Sequence, residues 1–385
     1  MTQTSRRARY AVTPYDGADK DELRRFQAEY FGPASRQCND GYTEWLFEKN
    51  PHRNRDNAVF WVCKKDGVVV GQQASVPVVL KLSGVERRAA WGIDLMVHRA
   101  WRLKGVAPAL SAEYENSENI LLGLGMSSAA VRAYSRAGWR DMGRLRFAVR
   151  PLNADACVEA MQGRARSARF VPGFLVSGST RVAAGIAHGI GRYSLEALHR
   201  FDERVDGVWS MSNNDYRILV KRDFASVRWR FDQFPEPERY ERYYLTRQSA
   251  VVGYAVIRMD RWRGYTIGRV VDYLAPRRAL CHLFSLVIEQ MRIAGAVAVF
   301  VEELHHEARP ALAMLGCFTA GAVTQFMLKV RPEGAAPILD VIDPRHWFVT
   351  RGDSDSDMPS PDPVEPHSDA HAAVNVLQER APSSA

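Results

Sequence analysis

No two of the five cysteines lie close together in this sequence of 385 residues. Cys38, Cys63, Cys157, Cys281 and Cys317 are odd in number and make no C-x-x-C or Cys/His spacing. A disulfide framework and a structural zinc site are therefore not expected, and no metal is called for. The chain also lacks the roughly 18 unbroken apolar residues of a membrane-spanning helix. Val182 to Ile190 is apolar and small, but Arg181 and Arg192 bracket it, which predicts a buried or interfacial helix. Met1 to Tyr10 is polar and basic with no apolar stretch behind it, unlike a secretory leader, so a cytoplasmic protein is expected. Lys and Arg are not gathered on one helix and no nucleic-acid motif appears, so a nucleic-acid partner is not favoured.

What is present is an uneven charge. Residues 351–385 carry two arginines against seven Asp and Glu, a net of −5, so the total of +8 leaves +13 on residues 1–350. The Pro/Ser/Asp-rich end has few large apolar residues and reads as a disordered acidic tail. The basic body suits an anionic partner.

The most informative segment is Val97-His98-Arg99-Ala100-Trp101-Arg102-Leu103-Lys104-Gly105-Val106-Ala107, between an apolar strand and a helix from Pro108 to Ser117. The first turn of a helix has unpartnered N–H groups and the positive end of the macrodipole, so it draws anions. Gly105 lets the backbone approach a diphosphate, and Arg99, Arg102 and Lys104 ring it with positive charge. Further on, Ser127, Ala130, Tyr134, Gly138 and Trp139 mark a short helix capped by Ser127 and ended by Gly138.

Arg102, Gly105 and Ala107 followed by that second pattern resemble the GNAT superfamily of N-acetyltransferases over residues 9–150. The departure is Ser127, where the superfamily carries Asn. The resemblance implies acetyl-CoA as acyl donor, held by Arg102, Leu103, Lys104, Gly105, Val106, Ala107 and Ser127. It also implies two central strands that splay, freeing the Leu95, Met96 and Val97 backbone for the pantetheine amides. Tyr134 is then the candidate acid for the departing thiolate and Asp94 the candidate base. Glu44 and Glu113 are weaker candidates. His98 reads as a surface residue and His305-His306 as a helix start.

Trp45-x-Phe47-x-x-x-Pro51 recurs 184 residues later as Trp229-x-Phe231-x-x-x-Pro235, and an offset of 178 carries Asp94 to Asp272 and Gly138 to Gly316. Shared order and near-constant offset predict an internal duplication. Opposite the loop, residues 280–285 offer neither glycine nor Arg or Lys, and Arg309-Pro310 interrupts the helix matching that of Tyr134. Asp272 in a half without the loop leaves a structural role open for Asp94 too.

The expected fold is α+β: two tandem GNAT-like domains, each a mixed, mostly antiparallel sheet flanked by helices. Their bounds are 1–158 and 195–350, with a linker at 159–194 and the tail from 351. The function implied is an acyl-CoA-dependent N-acetyltransferase acting on a small-molecule or glycan amine. The segment Arg222 to Phe231 also resembles bacterial tandem acyltransferases of cell-surface glycan loci, which puts an amino sugar or envelope-glycan precursor first. Two alternatives stay open: a tRNA-dependent peptidoglycan aminoacyl transferase, which needs no CoA loop, and a catalytically silent scaffold.

Overall fold

Fourteen strands among the described residues join in one sheet, and the two sequence halves interlock within it. The computed structural model describes residues 10–161, 193–331 and 341–357. The expected helix at Val182 to Ile190 and most of the expected linker lie outside them.

The first half contributes β1 (Val12–Pro14), β2 (Phe60–Lys65), β3 (Val68–Leu82), β4 (Val85–Val97), β5 (Ile120–Leu124) and β6 (Arg140–Pro151). The second contributes β7 (Tyr193–Leu198), β8 (Ile218–Val220), β9 (Glu241–Arg247), β10 (Ala250–Trp262), β11 (Tyr265–Leu274), β12 (Ala298–His305), β13 (Phe318–Val330) and β14 (Trp347–Thr350). Their order is β1-β2-β3-β4-β5-β13-β6-β12-β11-β10-β9-β7. The last long strand of each half has crossed over: β13 pairs with β5, and β6 pairs with β12. Neither half closes its sheet alone. Strands are therefore exchanged across the expected bounds 1–158 and 195–350.

The two parallel pairings share one offset. The parallel pairing of β4 with β5 joins Ala90 to Leu121, and that of β11 with β12 joins Gly268 to Val299, the 178-residue offset seen in the sequence. In the first half, helices α1 (Lys20–Phe31) and α2 (Asp40–Thr43) cover one face, and α3 (Val106–Ser117) and α4 (Ser128–Arg136) the other. Ala89, Trp91 and Ile93 of β4 face the larger core, whereas Ala90 and Val97 face the cluster under α3, as the two-residue period of a strand requires. Trp45 and Trp229 lie on matching π-helical turns, Glu44–Glu48 and Arg228–Asp232, and their rings stack 5.1 Å apart at the junction of the halves.

The start of the expected acidic tail departs from expectation, and its remainder, 358–385, lies outside the described residues. Residues 351–357 are packed, with Arg351, Ser354 and Asp357 buried. Asp353 pairs with Arg222 at 2.8 Å, and Arg351 with Glu302 at 2.8 Å. Arg258 meets Asp357 at 3.4 Å, and Asp355 pairs with Arg36 at 2.7 Å. Composition makes this segment soluble by itself, and buried arginines from distant strands make it part of the core. His305 is another correction: it ends β12, fully buried, and stacks on Phe348 at 3.9 Å. Arg309 and Pro310 lie inside the helix Ala308–Met314, where a first-turn proline is tolerated.

Candidate functional site

β4 and β5 touch only at Ala90–Leu121 and Trp91–Leu122. β5 is paired along its whole length with β13 on its other edge, and beyond these two rungs β4 continues alone on the β5 side. The Tyr114 hydroxyl marks the apex, 2.8 Å from the Ala90 carbonyl oxygen and 3.0 Å from that of Leu122. A bulge then shapes β4: Gln72 pairs with Met96 but Ala74 with Ile93, so Asp94 and Leu95 together oppose Gln73. Asp94 takes φ +52°, a left-handed conformation that is uncommon outside glycine. The extra residue re-aims the strand. Leu95 and Val97 pack under α3, and Met96 faces the α1 side.

Asp94 lines a cavity of about 340 Å³ bounded by α1, α2 and the π-helical turn. Gln37 Nε2 donates to Asp94 Oδ1 at 3.0 Å, and Gln72 Nε2 to its backbone oxygen at 3.3 Å. Burial raises the Asp94 pKa; Arg36 opposes this, Asp355 adds to it, and the Gln37 hydrogen bond lowers it.

Tyr134 lies under α3 on the other face of the sheet, buried, with its ring edge-on to Trp139 at 4.8 Å. Its hydroxyl is 3.4 Å from both Ser111 Oγ and Gln73 Oε1. Gln73 Nε2 in turn donates to the Ala74 and Ile93 carbonyls, each at 3.0 Å. Burial pushes the Tyr134 pKa up to about 12; Ser111 pulls it down and Glu115 raises it further. Tyr134 thus stays protonated through the neutral range.

The basic loop opens beside the split. Gly105 caps α3 at φ +97°, and an added Cβ meets only Tyr10 Cε2 at 3.7 Å, so glycine is required by conformation and not by crowding. Val106 and Ala107 follow in the first turn with N–H groups that have no intrahelical acceptor. Arg102 Nε donates to the Val97 oxygen at 3.3 Å, and Lys104 lies 4.9 Å over the Trp101 ring. Arg99, Arg102, Leu103 and Lys104 are exposed. Ser127 caps α4, its Oγ accepting from Ala130 N at 3.3 Å. Glu44 is an exposed residue of the cavity lining paired with Lys49, and Glu113 is exposed on α3. His98 is half-buried and its Nδ1 accepts from Ala100 N at 3.2 Å.

The second half repeats the split and fills it. β11 and β12 pair at Gly268–Val270 with Val299–Val301, after which β12 takes β14 as its partner. Asp272, opposite number of Asp94, is locked by Arg222 at 3.0 Å, the Tyr254 hydroxyl at 2.7 Å and the Thr350 hydroxyl at 2.8 Å. β11 is bulged at Asp272, where Val256 pairs with Asp272 but Ile257 with Val270, and Gly352 lies against it; a Cβ there would meet Asp272 Cβ at 3.0 Å and the Val271 oxygen at 3.2 Å. Where the first half exposes its loop, Ala279 and Leu280 are buried. Asp272 is structural. Asp94, with an amide donor and a cavity, is differently placed.

Sequence reasoning missed Gln73, Gln37 and Tyr114. Each acts through a partner on another element, and no local motif marks it. Among the described residues no cluster of His, Cys, Asp or Glu is arranged to hold a metal ion, and no helix is long and apolar enough to cross a membrane.

No protein-family model and no curated protein sequence matches the chain. Solved structures do. Saccharomyces cerevisiae N-myristoyltransferase with bound myristoyl-CoA is 13% identical over 86% of this chain and 85% of that one, with a TM-score of 0.54. A GCN5-related N-acetyltransferase from Anabaena variabilis is 15% identical over 84% and 73%, with a TM-score of 0.58. A conserved protein of unknown function from Enterococcus faecalis, a probable N-acyltransferase, is 10% identical over 83% and 72%, with a TM-score of 0.56. What these proteins share with this chain is the fold, α+β of the GNAT type, with a sheet-rich core flanked by helices.

Proposed function

We propose that this protein is an acyl-CoA-dependent N-acyltransferase, with acetyl-CoA the first donor to test and a primary amine as acceptor. The observation that carries the reading is the split between β4 and β5 with the left-handed Gly105 loop opening α3 beside it. A diphosphate fits the first turn and cationic rim of that loop, and a pantetheine amide fits the unpaired edge of β4 at Leu95, Met96 and Val97. Arg102, Leu103, Lys104, Gly105, Val106, Ala107 and Ser127 complete the proposed donor site.

Asp94 and Tyr134 lie on opposite faces of the sheet at the split, so an acyl group passing between the strands meets an acceptor on the Asp94 side. Asp94 takes a proton from the ammonium, and the nitrogen lone pair attacks the thioester carbonyl. As the C–N bond forms and the C–S bond breaks, the Tyr134 hydroxyl gives its proton to the departing thiolate; the excess proton on the new amide nitrogen leaves to solvent, and the phenolate is re-protonated from solvent. Holding the two reactants in line supplies much of the rate.

Calorimetry with acetyl-CoA and longer acyl-CoAs tests the donor site, and mass spectrometry of products from an amine panel tests the transfer. Binding without transfer to any amine supports the silent scaffold. Transfer from charged tRNA without acyl-CoA binding overturns the proposal.

A further inference from the structure

The Asp94 cavity differs from its surroundings in three respects: its size, its walls and its charge. At about 340 Å³ it has the size of a small-molecule site. Tyr15, Leu23, Tyr42, Phe47 and Phe60 make most of the wall apolar and largely aromatic. Four carboxylates, Asp40, Glu44, Glu48 and Asp94, face two cations, Lys20 and Arg24.

The ion pairs sort these charges. Lys20 and Arg24 are both held by Asp40, while Glu44 pairs with Lys49 and Glu48 with Arg53. Arg36, the cation nearest in effect to Asp94, is itself paired with Asp355 at 2.7 Å, so Asp94 hydrogen-bonds through its side chain only to the Gln37 amide on Oδ1, and its Oδ2 has no hydrogen-bond donor among the described residues. The residue is held there in a left-handed backbone at φ +52°, in a bulge whose partner strand it does not match one for one. A strained conformation kept beside a cavity is a feature of sites that position a reacting group.

We propose that this cavity selects an organic ammonium on a short aromatic or alkyl stem, with the nitrogen at Asp94 Oδ2 and the stem against Phe47, Phe60 and Leu23. The proposal names the acceptor class for the transfer described above and rests on that reading. Aromatic faces attract a cation as well as its apolar stem. An amino sugar carries the same ammonium, but its hydroxyls lose their water against the apolar part of these walls, and five of the six charged side chains are already held in ion pairs. The aryl- or alkylamine is therefore ranked above the glycan.

The test is direct binding by calorimetry to the full chain without acyl-CoA. The probes are 2-phenylethylamine, the neutral 2-phenylethanol, 3-phenylpropionate and glucosamine. 2-Phenylethylamine is expected to bind about 10- to 100-fold more tightly than 2-phenylethanol, the advantage of one charged hydrogen bond. Asp94→Asn should erase that advantage and leave the alcohol unchanged. Leu23→Trp, which fills the cavity and keeps Asp94, should block both and guards against an Asp94→Asn chain that misfolds. Equal binding of amine and alcohol, or tighter binding of glucosamine or 3-phenylpropionate, overturns the proposal. Acetyl-CoA binding on the same samples separates the two claims. Amine selectivity without acyl-CoA binding sinks the transferase and leaves the amine site, whereas acyl-CoA binding without amine selectivity does the reverse.

Discussion

The Trp45 indole N–H donates to the Trp229 backbone oxygen at 2.7 Å, and Trp229 returns the bond to the Trp45 oxygen at 2.9 Å. The rings stack at an interplanar angle of 16°, so each half of the chain caps the other through the same residue. Either tryptophan changed to Ala should cost about 3–5 kcal/mol, the range for a buried aromatic. The double variant should fall short of the sum by about 0.5–3 kcal/mol, since the two residues share both hydrogen bonds and the stack. Urea denaturation of the four chains measures this, and strict additivity would show the reciprocity to be idle.

Gly105→Val should weaken acyl-CoA binding by at least about tenfold. The left-handed backbone costs a side-chain-bearing residue roughly 1–2 kcal/mol, and relaxing it turns the first-turn amides away. Gly105→Asn is the informative control, because Asn tolerates this conformation better and should retain more affinity. Calorimetry that finds the two variants equal to wild type removes the loop from the donor site.

Tyr134→Phe should keep acyl-CoA affinity and lose about 10²–10⁴-fold in kcat, the usual contribution of a general acid. With its pKa pushed up to about 12, the hydroxyl should impose no loss of activity on the alkaline side of neutrality. Gln73→Leu should lower kcat as well, since it frees the hydroxyl from Oε1 and the Ile93 carbonyl from its donor. Stopped assays across pH separate the two effects.

Asp94 should trade stability for activity. Burial raises its folded-state pKa above the ordinary carboxylate value, so the folded chain holds that proton more tightly than the unfolded one. Stability from the neutral form is then present below the ordinary carboxylate range and lost as pH rises through the raised value. Asp94→Asn should melt higher than wild type at neutral pH while losing turnover. In wild type, kcat/KM should fall as pH drops through a value above that of a free carboxylate.

The loop and the Tyr134 helix were legible because their signals are local: a glycine past a strand, a Ser cap, a Gly-Trp stop. The 178-residue offset between the two parallel strand pairs was legible from spacing alone. Strand exchange was not, because β5 gains β13 as its neighbour through pairings about 200 residues apart, and either partner reads as an ordinary apolar strand. Gln37 reaches Asp94 from 57 positions away, on a short turn with no motif. Residues 351–357 misled in the opposite sense. Their acids look like a solvated tail until Arg222, Arg258 and Arg36 are placed opposite them.

That placement makes the end of the chain testable. A chain stopped after Thr350 leaves Arg222, Glu302 and Arg258 without their partners in the last segment, and breaking a buried pair costs about 3–5 kcal/mol. Its melting temperature should drop by many degrees or the chain should fail to fold. A chain stopped after Asp357 keeps every one of these contacts and should melt like wild type. Differential scanning calorimetry of the two truncations decides it.

Crossed strands also govern the order in which this protein can be made. When β5 leaves the ribosome, the strand that covers its outer edge lies about 200 residues ahead, some 10–40 s at ordinary rates of synthesis. Through that interval the nascent first half presents an open apolar edge, the kind of surface that invites pairing with other chains. Charged residues do not guard it: Ile120 to Leu124 is apolar throughout. Synthesis speed over residues 125–330, and chaperone supply during it, should therefore set the yield of active protein more than the stability of the finished fold.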